Sequence, residues 1–324
     1  MTPDEITIAV TVYDRRKFIA EAIRSALAQT RKVRVMVMED CGPDAGLKEF
    51  VTSMFGSEIT YHRSPRRRGL FGNLNACIER CETTWLSILH DDDLLEPDFV
   101  ESMIELSQAA PGRALYHGRI HTMHADGRPF LTARESGIFA WAEMDVTAAA
   151  RHCPMGFPGQ LISVAVAKEV GMFPVTSRYA GDWDLWYRLC LARGAASTNR
   201  VTSTIRAHET TGRGTTTVDR NGRRFAYVSM QQKRNMHRLR QRGADIRFDR
   251  KALYLDSPIP VKFLLRNAAG MGSWMLRYNH GLLLLPAKCG TVHALYRSLA
   301  GRLGPGFIRI TSRMSRWIGW PDYF

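Results

Sequence analysis

The chain has 324 residues, of which 45% are hydrophobic and 23% charged, a composition typical of a globular protein with a sizeable core. This balance excludes wholesale disorder, a collagen-like chain and a membrane protein with several spans. The formal net charge of +14 is unevenly distributed: residues 1–224 carry 28 basic and 27 acidic side chains, and residues 225–324 carry 17 and 4. We therefore predict a nearly neutral domain over 1–224 and a basic, mainly helical, amphipathic region over 225–324.

Neither the chain ends nor the cysteines indicate export or membrane insertion. Residues 1–5 lack the basic and apolar segments of a secretory signal, and the apolar run at residues 282–285 stops at Pro286. Six cysteines are scattered without metal-binding or disulfide spacing. We interpret Cys77 and Cys81, four residues apart, as buried packing residues. These features predict a reduced, cytoplasmic environment.

Short apolar, β-branched runs alternate with segments of helical periodicity through the first 110 residues. The predicted strands cover residues 7–12, 33–38, 59–62 and 85–89. The predicted helices that follow them cover residues 18–29, 47–54, 70–81 and 97–106. This alternation predicts a parallel sheet with helices on both faces, and ligands of such sheets bind outside the carboxyl ends of the strands.

The pattern is less regular between residues 114 and 224. Strands are predicted over residues 114–124, 130–132 and 202–208, and helices over residues 141–152 and 182–192. Residues 209–222 are rich in Thr, Gly and Arg and are predicted to form a loop. The glycine-rich signatures of dinucleotide-binding folds and P-loops are absent.

Acidic side chains follow two of the predicted strands, at the edge where ligands are expected. Asp91, Asp92 and Asp93 follow the fourth strand, and Asp40 follows the second. Adjacent carboxylates repel one another unless a cation neutralises them, and hard oxygen ligands suit Mg²⁺ or Mn²⁺ together with substrate phosphates. The alternative is a solvated turn in which Asp93 caps the next helix. Asp40 is either a ligand of a base or ribose, or an N-cap or turn residue.

Several segments, taken in order and spacing, resemble family 2 glycosyltransferases, which are inverting enzymes with the A-type nucleotide-sugar fold. The resemblance covers about residues 5–210 and implies a Rossmann-like, doubly wound mixed sheet. The matching segments are Val10-Thr11-Val12-Tyr13-Asp14-Arg15, Ala28-Gln29-Thr30, Glu39-Asp40-Cys41-Gly42-Pro43-Asp44, Arg68-Gly69 with Asn75, His90-Asp91-Asp92-Asp93 with Pro97, Val170-Gly171-Met172-Phe173-Pro174, Gly181-Asp182-Trp183-Asp184-Leu185-Trp186-Tyr187-Arg188-Leu189 and Arg206-Ala207-His208.

The resemblance implies a role for each matching position. The positions implied to bind the nucleotide are Thr11, Val12, Tyr13, Asp14, Asp40, Arg68, Asn75 and Asp91. The positions implied to bind Mn²⁺ or Mg²⁺, or to lie near the diphosphate, are Asp91, Asp92, Asp93 and His208. Asp182 is implied as the catalytic base, and Asp184 is its rival. Thr11 and Asp14 replace the usual proline and asparagine of the family, which leaves the choice of nucleotide base open.

These residues predict an inverting, metal-dependent glycosyltransferase. It would move a sugar from a nucleotide-diphosphate sugar, most simply a UDP-sugar, to a hydroxyl of a glycan or lipid-linked acceptor. Such a reaction belongs to cell-surface polysaccharide or glycolipid synthesis of the bacterial type. The alternatives are a sugar-nucleotide-binding protein without turnover and a nucleotidyltransferase on a similar fold.

The basic region over residues 225–324 interleaves arginines with apolar stretches, which supports two interpretations. One is an amphipathic surface that lies on anionic lipid, with the protein peripheral on the inner face of a membrane. The other is a solvated basic face on helices that pack against the catalytic domain. No nucleic-acid-binding motif accompanies the charge, so a nucleic-acid partner is not expected.

Overall fold

The computed structural model of the chain describes residues 1–124, 126–128, 139–153, 155–177, 179–207 and 223–243. The predictions for His208, for the strand at 130–132, for the loop at 209–222 and for the basic region after residue 243 lie outside these ranges. The chain divides into two units, Met1–Arg213 with Gln231–Leu239, and Gly214–Met230 with Arg240–Phe324. The boundary after residue 224 stays a prediction.

Within the described residues, nine strands form one mixed sheet. The strands are β1 (Ile6–Val12), β2 (Arg34–Glu39), β3 (Thr60–Arg63), β4 (Trp85–His90), β5 (Leu94–Leu95), β6 (Leu115–Met123), β7 (Trp141–Glu143), β8 (Gln160–Ser163) and β9 (Ala195–Arg206). Their order is β3-β2-β1-β4-β8-β6-β9-β5, and β7 pairs with β9. The strands β3, β2, β1 and β4 are parallel, whereas β8 runs antiparallel to both β4 and β6.

Helices cover both faces of this sheet, as the sequence pattern predicts. The described helices are α1 (Arg16–Leu27), α2 (Leu47–Phe55), α3 (Leu70–Arg80), α4 (Phe99–Ala109), α5 (Val146–Arg151), α6 (Val164–Glu169), α7 (Gly181–Arg193) and α8 (Arg223–Gln241). One core cluster joins β1 to α1, α2 and α4, and another joins the opposite face to α3, α6 and α7. All seven residues of β1 are buried because both of its faces are covered.

The single helix predicted over residues 141–152 is wrong. Trp141–Glu143 is an exposed strand that pairs with β9, and Val146–Arg151 forms a short helix capped by Asp145. The Asp145 carboxylate accepts a hydrogen bond from the backbone N–H of Thr147 over 2.7 Å, which starts the helix there. The alanines of the second half supplied the helical spacing, whereas pairing with β9 determined the first half.

Three elements were missing from the predicted order, and one strand was too short. The short strand β5 follows the acidic segment, and β8 and α6 lie between α5 and α7. The strand β9 begins at Ala195 rather than at residue 202, since its first half pairs with β6 and β7. Cross-strand pairing of this kind is a long-range property that local periodicity does not carry.

The two cysteines interpreted as packing residues are buried. Cys77, on α3, is inaccessible in the core, and Cys81 is 7% exposed at the end of that helix. Both are free thiols. Among the described residues, no helix combines the length and the apolar content that crossing a bilayer requires.

Candidate functional site

The sheet topology brings three predicted site segments to one edge. In the register of the parallel strands, Thr11 of β1 lies between Met38 of β2 and His90 of β4. The residues that follow these strands therefore leave the sheet side by side. This arrangement places the acidic segment 91–93 on one side of Tyr13 and Asp14, and Asp40 on their other side. All of them lie at the carboxyl edge of the sheet, where the ligand site was predicted.

The three aspartates of the acidic segment are buried, with exposed fractions of 3%, 7% and 5% for Asp91, Asp92 and Asp93. Arg15, at the start of α1, lies against two of them. Its Nη2 lies 2.8 Å from Oδ1 of Asp91, and its Nη1 contacts Oδ2 of Asp92. The Arg15 side chain is 42% exposed, so this ion pair opens to solvent on the arginine side.

The third aspartate has a different partner. Oδ1 of Asp93 accepts a hydrogen bond from the backbone N–H of Arg206 over 3.0 Å. The Arg206 side chain donates to the carbonyl oxygen of Asp92 over 3.0 Å and pairs with Glu21 over 2.6 Å, while its guanidinium stacks on Phe18. Arg206 is itself buried, and it therefore fixes the backbone of the acidic segment to β9 and α1.

Burial and mutual repulsion disfavour the charged forms of the carboxyl groups in the acidic segment. Desolvation raises the pKa of Asp91 to about 8, although Arg15 acts in the opposite direction, and the neighbouring aspartates add to the increase. Desolvation, together with the charge of Asp92, raises the pKa of Asp93 to about 7. A bound cation would relieve this repulsion, and carboxylate oxygens are the ligands that hard divalent ions prefer.

The donor set therefore fits Mg²⁺ or Mn²⁺ in its chemistry. In the part of the chain that the structure describes, no three His, Cys, Asp or Glu side chains are arranged as a ready-made cation site. The carboxylates of Asp91 and Asp92 face the half-exposed side chain of Arg15, and one oxygen of each forms an ion pair with it. His208, the fourth predicted metal residue, lies outside the described ranges.

Asp40 binds the start of α3 in this structure. Its carboxylate accepts hydrogen bonds from the backbone N–H groups of Arg68, over 2.6 Å, and Gly69, over 2.9 Å. Desolvation raises the pKa of Asp40, while these two N–H donors act against the increase. Asp40 thus holds the loop residues just before α3, and a contact with a base stays a prediction.

Arg68 contributes to this region through its backbone. Its guanidinium is directed to Glu79 on the surface of α3, at 3.0 Å. The neighbouring Arg67 instead stacks on the ring of Tyr13, with 4.3 Å between the guanidinium carbon and the ring centroid. The ring of Tyr13, just after β1, is thus covered by the Arg67 guanidinium, a residue that the sequence pattern did not assign to the site.

Thr11 and Val12 lie beneath the edge rather than on it. The Thr11 hydroxyl is 3.1 Å from Nδ1 of His90 and 3.3 Å from the Leu89 carbonyl oxygen, so it ties β1 to β4. Val12 is 3% exposed and belongs to the core. Of the four residues predicted to line the nucleotide pocket, Tyr13 and Asp14 are the two with partly exposed side chains.

Asn75 is committed to the protein interior. Its side-chain amide donates to the Phe173 carbonyl oxygen over 2.9 Å and accepts from the Phe173 N–H over 2.8 Å. Both amide atoms are therefore used to hold the segment after α6. We leave Asn75 out of the proposed nucleotide site because its side chain is buried and holds this segment; its contact with a nucleotide stays a prediction.

Asp182 lies in the first turn of α7 and is partly exposed. Its Oδ1 accepts a hydrogen bond from the backbone N–H of Trp183 over 2.8 Å, and burial raises its pKa. Gly181 permits close packing here, since a Cβ at this position would lie 2.6 Å from the ring of Phe71. A carboxylate with a raised pKa at a helix N-terminus is suited to accept a proton.

Aromatic rings join the start of α7 to the acidic segment. Phe71, which contacts Gly181, stacks on Phe173 at 5.9 Å between centroids. Phe173 stacks on Phe157 at 6.4 Å, and Phe157 stacks on His90 at 4.2 Å. The sequence pattern did not assign Phe157 to the site, and its packing against the residue before Asp91 is visible only in three dimensions.

Asp184, the rival base, has three side-chain partners among the described residues. It pairs with Arg188 at 2.8 Å and with Arg238 at 2.6 Å, and Gln231 donates to it over 2.8 Å. Burial favours its neutral form, but the two arginines outweigh this and hold its pKa below the ordinary range. A carboxylate stabilised in this way is a poor proton acceptor, which favours Asp182 as the base.

Comparison with known proteins agrees with this geometry. Residues 7–142 match the sequence model described as "Glycosyl transferase family 2". An uncharacterized glycosyltransferase of Rickettsia bellii is 27% identical over 192 residues, covering 57% of this chain and 27% of that protein. The succinoglycan biosynthesis protein ExoO of Rhizobium meliloti is 33% identical over 125 residues, covering 38% of this chain and 35% of that protein. The chain thus matches about a quarter to a third of the length of these relatives.

Solved structures share the fold at low sequence identity. The crystal structure of S. aureus TarS 1-349 in complex with UDP has a TM-score of 0.54 at 14% identity, covering 82% of this chain and 72% of that one. The mannosyltransferase PcManGT from Pyrobaculum calidifontis, in complex with GDP-Man and Mn²⁺, has a TM-score of 0.56 at 15% identity, covering 96% and 85%. Residues 7–142 thus match glycosyltransferase family 2, and the chain has a mixed α/β fold similar to that of these A-type glycosyltransferase structures.

Proposed function

We propose that this chain transfers a sugar from a nucleotide-diphosphate sugar to an acceptor hydroxyl with inversion at the anomeric carbon. The observation that carries the proposal is the buried acidic segment at the end of β4, beside the carboxyl ends of β1 and β2. The described edge combines carboxylates for a cation, a partly exposed aromatic ring at Tyr13 and a carboxylate at Asp40. These groups match the diphosphate, base and ribose of a nucleotide.

Asp182 is the proposed catalytic base. It would accept the proton of the acceptor hydroxyl as that oxygen attacks the anomeric carbon from the face opposite the leaving diphosphate. Its raised pKa increases its basicity relative to an ordinary aspartate, and its place in the first turn of α7 fixes its position. Asp184 would hold α7 in place through its arginine partners.

Asp91 and Asp92 are the proposed ligands of Mn²⁺ or Mg²⁺. When bound, such an ion supplies neutralisation of the charge that develops on the leaving diphosphate. Asp93 would keep its bond to the Arg206 backbone and so hold the segment in register with β9. Thr11 would orient His90 at the base of the segment through its hydroxyl.

The proposed donor is a UDP-sugar, and the proposed acceptor is a glycan or lipid-linked hydroxyl. TarS 1-349 has been crystallised with UDP and with UDP-GlcNAc, and PcManGT with GDP-Man, so both nucleotides belong in the test. ExoO is named for succinoglycan biosynthesis, which supports a role in the synthesis of a surface polysaccharide. We also propose that the basic region attaches the protein to the surface of a membrane.

The test uses the full chain with a panel of UDP- and GDP-sugars, with Mn²⁺ and with a chelator. Release of nucleoside diphosphate supports transfer. Formation of a nucleoside triphosphate and a sugar 1-phosphate when pyrophosphate is added supports a nucleotidyltransferase, and binding without release supports a binding protein. Asp182→Asn should lower turnover by about 10²–10⁴-fold with little change in donor affinity. The matched control is Asp4→Asn, an exposed residue before β1, which should leave turnover unchanged.

Full turnover by Asp182→Asn would reject the assignment of the base. The stereochemistry is checked by following the anomeric proton of the first product by NMR. Retention of the donor's anomeric configuration would reject the inverting mechanism while leaving the transferase activity in place.

A further inference from the structure

Arg15 takes the position of a cation at the acidic segment. Two of its nitrogens reach the carboxylates of Asp91 and Asp92, whose side chains are 4% and 9% exposed. The guanidinium thus bridges two nearly buried charges while remaining 42% exposed itself. A fork of this shape matches two carboxylate oxygens better than a single ammonium group does.

The fold, and not the local sequence, places Arg15 there. Thr11 of β1 is paired with His90 of β4, so the chain leaves both strands at the same level. Arg15 is the N-cap residue just before α1, and its side chain turns toward the segment after β4. The next residue, Arg16, turns away and lies 3.5 Å from Asp44, with 49% of its side chain exposed.

The oxygens that hold Arg15 are the ones a divalent cation would need. Asp93 offers Oδ1 to the backbone N–H of Arg206, so the open side of the segment is formed by Asp91 and Asp92. A guanidinium and a divalent cation repel each other at this distance. Binding of one at these oxygens therefore opposes binding of the other.

We propose that Arg15 is an internal counter-cation that competes with the divalent metal for Asp91 and Asp92. This inference rests on the proposed function for the presence of a metal. In the free protein, Arg15 neutralises the buried carboxylates and weakens metal binding. When nucleotide and metal arrive together, the diphosphate offers the half-exposed guanidinium a new anionic partner, so Arg15 leaves the aspartates to the metal.

Competition of this kind has a thermodynamic signature. If the nucleotide removes Arg15 from the metal site, then UDP strengthens Mn²⁺ binding, and Mn²⁺ strengthens UDP binding by the same factor. Without the Arg15 charge, Mn²⁺ should bind more tightly in the absence of UDP. UDP should then raise the affinity for Mn²⁺ by a smaller factor than in the wild type. The prediction therefore concerns the affinity for Mn²⁺ alone as well as its response to UDP.

The experiment measures binding of Mn²⁺ by the loss of the free-ion EPR signal, with and without UDP. The proteins are the full-length wild type, Arg15→Gln, Arg15→Lys and the control Arg16→Gln. We expect Arg15→Gln to bind Mn²⁺ alone about tenfold more tightly, since one charged hydrogen-bonded competitor is gone. Arg15→Lys should lie between Gln and the wild type, and Arg16→Gln should equal the wild type. UDP should tighten Mn²⁺ binding most in the wild type.

Equal or weaker Mn²⁺ binding by both Arg15 variants would overturn the inference while leaving the proposed transferase intact. Absence of Mn²⁺ binding to every protein, with or without UDP, would overturn both the inference and the metal part of the proposed function. Thermal unfolding checks that each variant is folded. If Arg15→Gln does not fold, the comparison of Arg15→Lys with the wild type decides, because lysine retains the charge but loses the two-pronged contact.

Discussion

The carboxylate of Asp184 lies 2.6 Å from the guanidinium of Arg238, which comes 54 residues later in the chain. The same carboxylate also pairs with Arg188, whose guanidinium reaches back to the carbonyl oxygens of Val170 and Met172. Asp184 thus joins α7 to α8 and to the segment after α6. This arrangement holds the helix that carries Asp182.

Replacing Arg238 with alanine should destabilise the protein. The change leaves Asp184, which is 4% exposed, with fewer partners for its charge. We expect the free energy of unfolding to fall by about 2 kcal/mol, as for a partly buried charged hydrogen bond. Urea unfolding followed by tryptophan fluorescence measures this. The control Arg193→Ala, which removes an exposed pair at 3.7 Å from Glu169, should change stability by less than about 0.5 kcal/mol.

The stabilising effect of Asp184 should depend on pH. Burial opposes its ionisation, but Arg188 and Arg238 outweigh this and lower its pKa in the folded protein. A lowered folded pKa means that the stabilisation is present above the unfolded value and is lost as the pH falls through the folded value. The difference in unfolding free energy between wild type and Asp184→Asn should therefore shrink below about pH 4. A constant difference down to acid unfolding would contradict the assignment.

The pH dependence of turnover should report Asp182. A base must be ionised to act, and burial raises the pKa of this carboxyl above the ordinary value for aspartate. We therefore expect log(kcat/KM) to fall with a slope of about one as the pH is lowered through that raised pKa. The Asp182→Glu variant should show the same fall in log(kcat/KM) at low pH, with its midpoint at a shifted pH. An acid limb at or below the ordinary aspartate value would argue against Asp182 as the base.

Asn75→Ala should lower stability without a specific effect on the donor. The change removes both hydrogen bonds to the Phe173 backbone and leaves two buried peptide groups without those partners. The expected loss is about 2–3 kcal/mol in the free energy of unfolding. The affinity of the folded variant for UDP, measured by calorimetry, should stay within about twofold of the wild type. A large loss of UDP affinity with unchanged stability would restore Asn75 to the nucleotide site.

Gly42→Ala should disturb the edge formed by β1 and β2. A Cβ at Gly42 would lie 1.7 Å from the carbonyl oxygen of Tyr13, so the two segments must move apart. We expect a loss of about 1–3 kcal/mol in stability, as for other overpacked sites, and an increase in the donor KM. Gly46→Ala is the matched control in the same loop, because its nearest contact would be an ordinary 3.5 Å. Equal behaviour of both variants would remove Gly42 from this role.

Local patterns predicted the first half of the fold closely because β1, β2 and β4 are short, largely buried runs and amphipathic helices separate the first four strands. They failed over residues 141–152, where an exposed strand and a capped helix follow one another. They also missed β5 and β8, whose strand character comes from pairing with distant segments. Periodicity describes burial along one element, whereas strand pairing depends on partners elsewhere in the chain.

The sequence by itself indicated the resemblance to family 2 glycosyltransferases over residues 7–142, the parallel strands and the acidic segment, since these follow from the order of local motifs. The tertiary structure decided what each charged side chain contacts: Arg15 bridges Asp91 and Asp92, Asp40 holds the backbone just before α3, and Asp184 pairs with Arg238. These partners are 28 or more residues apart, and strand register sets the first of them. Charge and hydrogen-bond partners depend on distance in space, which the order of residues does not specify.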